Sequence, residues 1–204
     1  MSKTTKLIIA THNLGKAREI QKLLGDIPWQ LVSLQSFKNV GIADEIENTY
    51  SANAIAKACY YASGSGEWVL ADDSGLEVAG LGGAPGVLSA RYAGERASDA
   101  DRRTLLLSEL RKQSTTDRTA RFVCSVAISQ PNGALVSLSQ GICAGSISLE
   151  PRGNSGFGYD SIFVPEGYDQ TFGELSEEIK NQISHRAKAL LKTRTFLLNQ
   201  NESA

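Results

Sequence analysis

Residues 6–25 read Lys6-Leu7-Ile8-Ile9-Ala10-Thr11-His12-Asn13-Leu14-Gly15-Lys16-Ala17-Arg18-Glu19-Ile20-Gln21-Lys22-Leu23-Leu24-Gly25. The apolar run stops after Ala10 at three polar residues, which is how a buried strand enters a turn. Asn13 suits a helix N-cap, and Ala17, Ile20, Leu23 and Leu24 recur at helical spacing until Gly25. A second strand is predicted over 29–34, an alanine-rich helix over 49–62 that ends at Gly64-Ser65-Gly66, and a third strand over 68–71. This alternation predicts an α/β fold with a mixed central sheet and flanking helices.

Further along, Gly80 to Gly86 is glycine-rich and reads as a loop, and Ser98-Asp99-Ala100-Asp101 reads as a capping box before a helix carrying Leu105, Leu106 and Leu110. Ala120, Phe122, Cys124, Val126 and Ile128 share one strand face. Pro131-Asn132-Gly133 then turns the chain into a second arm from Leu135. A short strand is expected over 161–164. Ile179, Ile183, Ala187, Leu190 and Leu191 form one amphipathic helical stripe, and 199–204 reads as a polar, frayed tail. With no repeat or linker, residues 1–204 read as one domain.

The 204 residues carry 21 Lys+Arg against 22 Asp+Glu, a net charge of -1 that argues against a general electrostatic grip on nucleic acid or acidic membrane. No run approaches the roughly 18 apolar residues of a membrane helix, and residues 1–13 turn polar too early for a signal peptide. A cytoplasmic protein is expected. Cys59, Cys124 and Cys143 have wide spacing, and only His12 and His185 could join them on zinc, so they read as small buried hydrophobes.

Four polar stretches follow predicted elements. Thr11 to Lys16, at a helix start, offers N–H groups, a hydroxyl and an ammonium to a phosphate; a capped helix with a solvated lysine is the plainer alternative. Asp72-Asp73-Ser74-Gly75 is expected to form a strand-end turn. Two adjacent carboxylates there repel unless a cation or proton compensates, so Mg²⁺ is the fitting ion, with the acid run Asp44-Glu45-Ile46-Glu47 adding carboxylates. The alternative for the pair is a local cap in an acidic turn. Gly156-Phe157-Gly158-Tyr159-Asp160 sets two aromatics among glycines, either as a ring face for a flat base or as edge-of-core packing, and Lys180, His185 and Arg186 bring donors. Together these suggest a ligand with phosphates at one end and a planar polar base at the other.

The same residues, taken in order, resemble the Ham1/inosine triphosphate pyrophosphatase family, from Ile9 to about Leu191. Ala10 to Lys16 resembles its opening phosphate motif. Leu70 to Leu76, Gly82-Gly83-Ala84-Pro85-Gly86 and Ser89-Ala90-Arg91-Tyr92 resemble its central signature, and Gly156 to Asp160 with Ile183-Ser184-His185-Arg186 resembles its base-recognition motifs. The resemblance implies Mg²⁺-dependent hydrolysis of ITP, dITP and XTP to monophosphate and pyrophosphate. It also implies an elongated two-lobed fold with a substrate cleft between the lobes, and a homodimer. It makes Asp73 the general base and a metal ligand, with Asp44 and Glu45 as further metal carboxylates. Thr11, His12, Asn13, Leu14, Gly15, Lys16, Ser74 and Lys180 match positions contacting the phosphates and nearby substrate groups, and Lys16 and Lys180 would neutralise triphosphate charge. Phe157, Gly158, Tyr159, Asp160, His185 and Arg186 match the base pocket. Ala52 before Asn53, Ser161 after Asp160 and Ile179 before Lys180 replace the family's usual Glu, Pro and Glu. A pyrophosphatase for modified pyrimidine or standard nucleotides, and a sensor without turnover, are the competing functions.

Overall fold

In the computed structural model, residues 5–37, 41, 43, 46–113 and 116–201 are described. The elements are strand β1 (Lys6–Ile9), helix α1 (Leu14–Leu24), β2 (Gln30–Ser33), α2 (Tyr50–Ser65), β3 (Trp68–Val78), α3 (Asp99–Lys112), β4 (Thr119–Ser129), β5 (Leu135–Ile147), β6 (Phe163–Pro165), α4 (Glu177–Ile183) and α5 (His185–Asn201), joined by short 3₁₀ turns. The six strands form one sheet in the order β2-β1-β3-β4-β5-β6. β1 pairs in parallel with both β2 and β3, and β5 with β6 antiparallel, so the sheet is mixed as expected.

Two compact units share the chain. The first takes residues 1–73, 124–141 and 186–204, and the second 74–123 and 142–185. In the first, the two-residue period of the strands sorts side chains onto two faces. Leu7, Ile9 and Leu70 join Cys124, Val126 and Ile128 against Ile20 and Leu24 of α1 and Leu190 and Leu197 of α5. Ile8, Ala10, Val69, Ala71 and Ala127 pack against Ala54, Ala58 and Ala62 of α2, where small side chains let helix and sheet approach closely. In the second unit, Leu76, Val78 and Phe122 meet Leu106, Leu107 and Leu110 of α3 together with Phe163 and Phe172.

Local signals behave as read. Asn13 Oδ1 accepts the Lys16 N–H at 3.0 Å and caps α1. Ser98 and Asp101 close a full capping box on α3. Gly66, at φ +68°, ends α2 in the left-handed conformation that glycine adopts without strain.

Three expectations are corrected. Asp72-Asp73-Ser74-Gly75 is not a turn: β3 runs unbroken from Trp68 to Val78, because polar side chains do not stop a strand whose faces both find partners. The stripe over 179–191 is two helices, interrupted at Ser184 in extended backbone (φ -66°, ψ 157°). That break resets the helical phase and leaves Leu191 67% exposed. Of the expected tail, 199–201 continue α5, and 202–204 lie outside the described residues. Cys124 and Cys143 are buried and Cys59 half-buried, and none forms a disulfide. No helix of the described residues is long and apolar enough to cross a membrane.

Candidate active site

A strand directs successive side chains to opposite faces, and this separates the two neighbouring carboxylates. Asp72 points to the α1 and α5 side. Its Oδ2 lies 3.3 Å from Lys16 Nζ and accepts from Arg186 Nε at 3.2 Å and Nη2 at 3.1 Å. Arg186 Nη1 donates to Glu19 on α1. Asp73 points to α2, where Asn53 Nδ2 donates to its Oδ2 at 3.0 Å and Lys57 Nζ stands 4.0 Å from its Oδ1. Lys57 also donates to the Asp72 carbonyl at 2.7 Å and so ties the two residues together. Three protein cations, Lys16, Lys57 and Arg186, thus stand among the carboxylates of Glu19, Asp72 and Asp73.

Burial alone would raise the Asp72 carboxyl, yet Lys16, Arg186 and Lys57 outweigh it and hold the group well below the usual carboxylate range. Burial pushes the nearby Cys124 thiol up to about 12, with Asp72 adding to the effect, so the sulfur stays a neutral packing group. Both the carboxylate and the guanidinium are 2% exposed or less. Arg186, expected in the base pocket, donates to Asp72 and to Glu19.

Asn53 does more than touch Asp73. Its amide nitrogen also donates to the Glu47 carbonyl at 3.2 Å, and its oxygen accepts the Glu47 N–H at 3.0 Å. One buried asparagine thus fastens the acid-run backbone beside Asp73. Ala52 only occupies the first turn of α2, where its N–H donates to the Thr49 hydroxyl. At the start of α1, Thr11 Oγ1 accepts the Asn13 N–H at 3.2 Å. His12, Asn13 and Leu14 are exposed and Gly15 half-buried, which sets the Leu14 and Gly15 N–H groups, ahead of the Asn13-capped Lys16 N–H, in the position where helices bind phosphate.

Asp44 and Glu45 lie outside the described residues. Among the described residues no group of three or more His, Cys, Asp and Glu side chains could hold a metal. Mg²⁺ asks for less, since it is commonly held by one or two carboxylates plus water and substrate phosphates. Asp73, a hard oxygen ligand 6% exposed, fits that role; Asp72, already neutralised by three cations, does not.

In the second unit, Asp160 organises the glycine–aromatic motif. Its Oδ2 accepts the Phe157 N–H at 2.8 Å and lies 2.5 Å from Lys180 Nζ. The same ammonium stands 4.9 Å from the centre of the Phe157 ring and 5.8 Å from that of Phe172. Lys180 is thus held with the base motif, and the ion pair that Ile179 does not supply comes from Asp160. Tyr159 is buried, and its hydroxyl donates to the Ser89 carbonyl at 2.9 Å. His185 is also buried and stacks on Phe122 with centroids 4.5 Å apart. Ser74 is half-buried on β3. A cavity of about 240 Å³ is lined by Phe157 and Asp160 of the motif and by Asp99 and Arg103 of α3.

Gly156 sits at φ +77°, and a Cβ there would fall inside the Asp160 carboxylate. Gly156→Ala is expected to cost about 1–3 kcal/mol of stability, measured by urea unfolding, as backbone strain and a displaced Asp160 add together.

Lys57 and Glu19 carry no motif of their own, and Asn53 stands only as the retained half of the family's Glu-Asn pair, so sequence reading gave none of the three a role. Their signal is positional: polar residues on the otherwise apolar buried faces of their helices.

The sequence model of the Ham1 family matches residues 7–196. A dITP/XTP pyrophosphatase of Desulforamulus reducens is 48% identical over 192 residues, covering 94% of this chain and 95% of the relative. A HAM1 protein structure from Coxiella burnetii superposes with a TM-score of 0.88 at 39% identity, covering 96% of this chain and all of the other. A nucleoside-triphosphatase, dITP/XTP pyrophosphatase, from Mycobacterium abscessus gives a TM-score of 0.73 at 38% identity over 93% of this chain and 97% of the other.

Proposed function

The chain belongs to the Ham1 family, and on that premise we propose that it hydrolyses the non-standard purine nucleotides ITP, dITP and XTP to monophosphate and pyrophosphate. The observation that carries the reading is the division of labour on β3. Asp72 is locked in a buried ion network, while Asp73 is oriented by Asn53 and Lys57. The first pair member builds the floor and the second does the chemistry.

A water attacks the α-phosphorus. Its proton passes to the Asp73 carboxylate, which Asn53 orients. The bond from the α-phosphorus to the bridging oxygen breaks, and pyrophosphate leaves. Lys16 and the first-turn N–H groups of α1 bind the phosphates and counter their charge. Mg²⁺, held through Asp73 with Asp44 and Glu45 as the further carboxylates, supplies charge neutralisation and orientation to the triphosphate when bound.

For the base, the Phe157 ring is the stacking platform and Lys180, steadied by Asp160, is the donor to a 6-oxo group. Adenine would present its own donor there and leave buried groups unpaired, an effect large enough to discriminate strongly. The enzyme acts in the cytoplasm as a homodimer, which light scattering would report as twice the 21.9 kDa chain mass.

The test is pyrophosphate release from ITP, XTP, dITP, ATP and GTP, with Mg²⁺ and with EDTA. Turnover of the first three only, abolished by EDTA, is the expected outcome. Equal rates on ATP would remove the base-selectivity argument and leave the hydrolase, and turnover in EDTA would remove the metal.

A further inference from the structure

We propose that Asp99 and Arg103, one turn apart on α3, are positioning residues for base recognition. The inference rests on the reading of Phe157 and Lys180 as base-contacting groups. Asp99 Oδ2 accepts the Gly158 N–H at 2.7 Å, and Arg103 Nη1 donates to the Gly158 carbonyl at 2.7 Å. The two side chains hold the peptide groups on either side of one Cα, and the spacing i, i+4 on one helix face makes this possible. Gly158 itself sits at φ +60°, a conformation that few residues adopt unaided.

The location gives the clamp its consequence. Gly158 lies between Phe157, whose ring faces Lys180, and Asp160, which pairs with it. Tyr159 is fastened from the other side by its hydroxyl on the Ser89 carbonyl. With Gly158 released, the loop could rotate the Phe157 ring away from the Lys180 ammonium while the phosphate-binding groups of the first unit stayed as they are. The geometry therefore assigns α3 a role in base affinity. Asp99 and Arg103 also line the 240 Å³ cavity that Phe157 and Asp160 border, so the clamp stands at the wall of the space it shapes. Asp99 Oδ1 also accepts from Arg102 Nη1 at 2.5 Å, a second contact on the acceptor side of the clamp.

The experiment uses the full-length chain and compares Arg103→Met, Arg103→Lys and Asp99→Ser with wild type. Arg103→Met keeps the stem and removes the donor. It is expected to raise KM for ITP about tenfold with kcat within about twofold, as suits loss of a charge-assisted hydrogen bond felt in binding. Binding of inosine monophosphate, followed by calorimetry, should weaken by a similar factor while inorganic pyrophosphate binding is unchanged. Arg103→Lys restores a donor and should recover most of the loss. Asp99→Ser, a residue tolerated in the first turn of a helix, should repeat the KM effect and stands in if Arg103→Met does not fold. Thr104→Ala, at an exposed position on the same helix, should behave as wild type.

Unchanged KM and inosine monophosphate affinity in the folded variants would overturn the clamp. So would a proportional loss of kcat on every nucleotide with no change in KM. A wild type without activity on ITP would sink the functional reading instead, and the two failures are distinct.

Discussion

Asp73→Asn is expected to lower kcat on ITP by about 10²–10⁴-fold, the range for loss of a general base. The substitution is close to isosteric, and the new amide oxygen can still accept from Asn53 Nδ2, so the loop of Glu47 stays fastened. The thermal unfolding temperature should fall only modestly, through the weakened Lys57–Asp73 pair at 4.0 Å, while activity collapses. This separates a chemical role from a structural one, and retention of wild-type kcat would remove Asp73 from the mechanism. Asn53→Ala makes a useful companion, because it removes the group that aims Asp73 without removing the carboxylate.

The opposite pattern is expected one residue earlier. Asp72→Asn should cost about 3–5 kcal/mol of stability, because Arg186 and Lys16 lose the buried charge that compensates them. Urea unfolding at neutral pH measures this directly, and a loss below about 1 kcal/mol would show the network to be unimportant. The pH dependence follows from the direction of the shift. The Asp72 carboxyl is lower in the folded chain than its unfolded value of about 3.9. Its contribution is therefore complete above that unfolded value and is lost as pH falls towards the folded one. Wild type should lose stability steeply below about pH 4, and the Asp72→Asn protein should show a flatter acid limb.

The two neighbours thus differ in kind, and the reason is the strand they share. Asp72-Asp73 was legible in sequence as a charged pair that needed compensation, and compensation exists. The protein cations that stand beside each carboxylate were not legible. Period-two geometry turns the side chains to opposite faces, and residues 114 positions away in the case of Arg186 then decide which one is neutralised. The same limit applies to Lys180. Ile179 stands where the family usually has Glu, and the fold brings Asp160, 20 residues upstream, to 2.5 Å.

From the sequence alone, the α/β class, the order of the elements, the caps at Asn13 and Ser98 and the family resemblance all follow, since each depends on residues within a few positions of one another. Tertiary structure alone decided that β3 continues through its carboxylates, that Ser184 splits the last helical stretch, and that Asn53, Lys57, Asp99 and Arg103 stand behind the motif residues. Those outcomes turn on which buried polar group meets which partner across the core. A hydrogen bond or ion pair there is set by distance in space, on which spacing along the chain is silent.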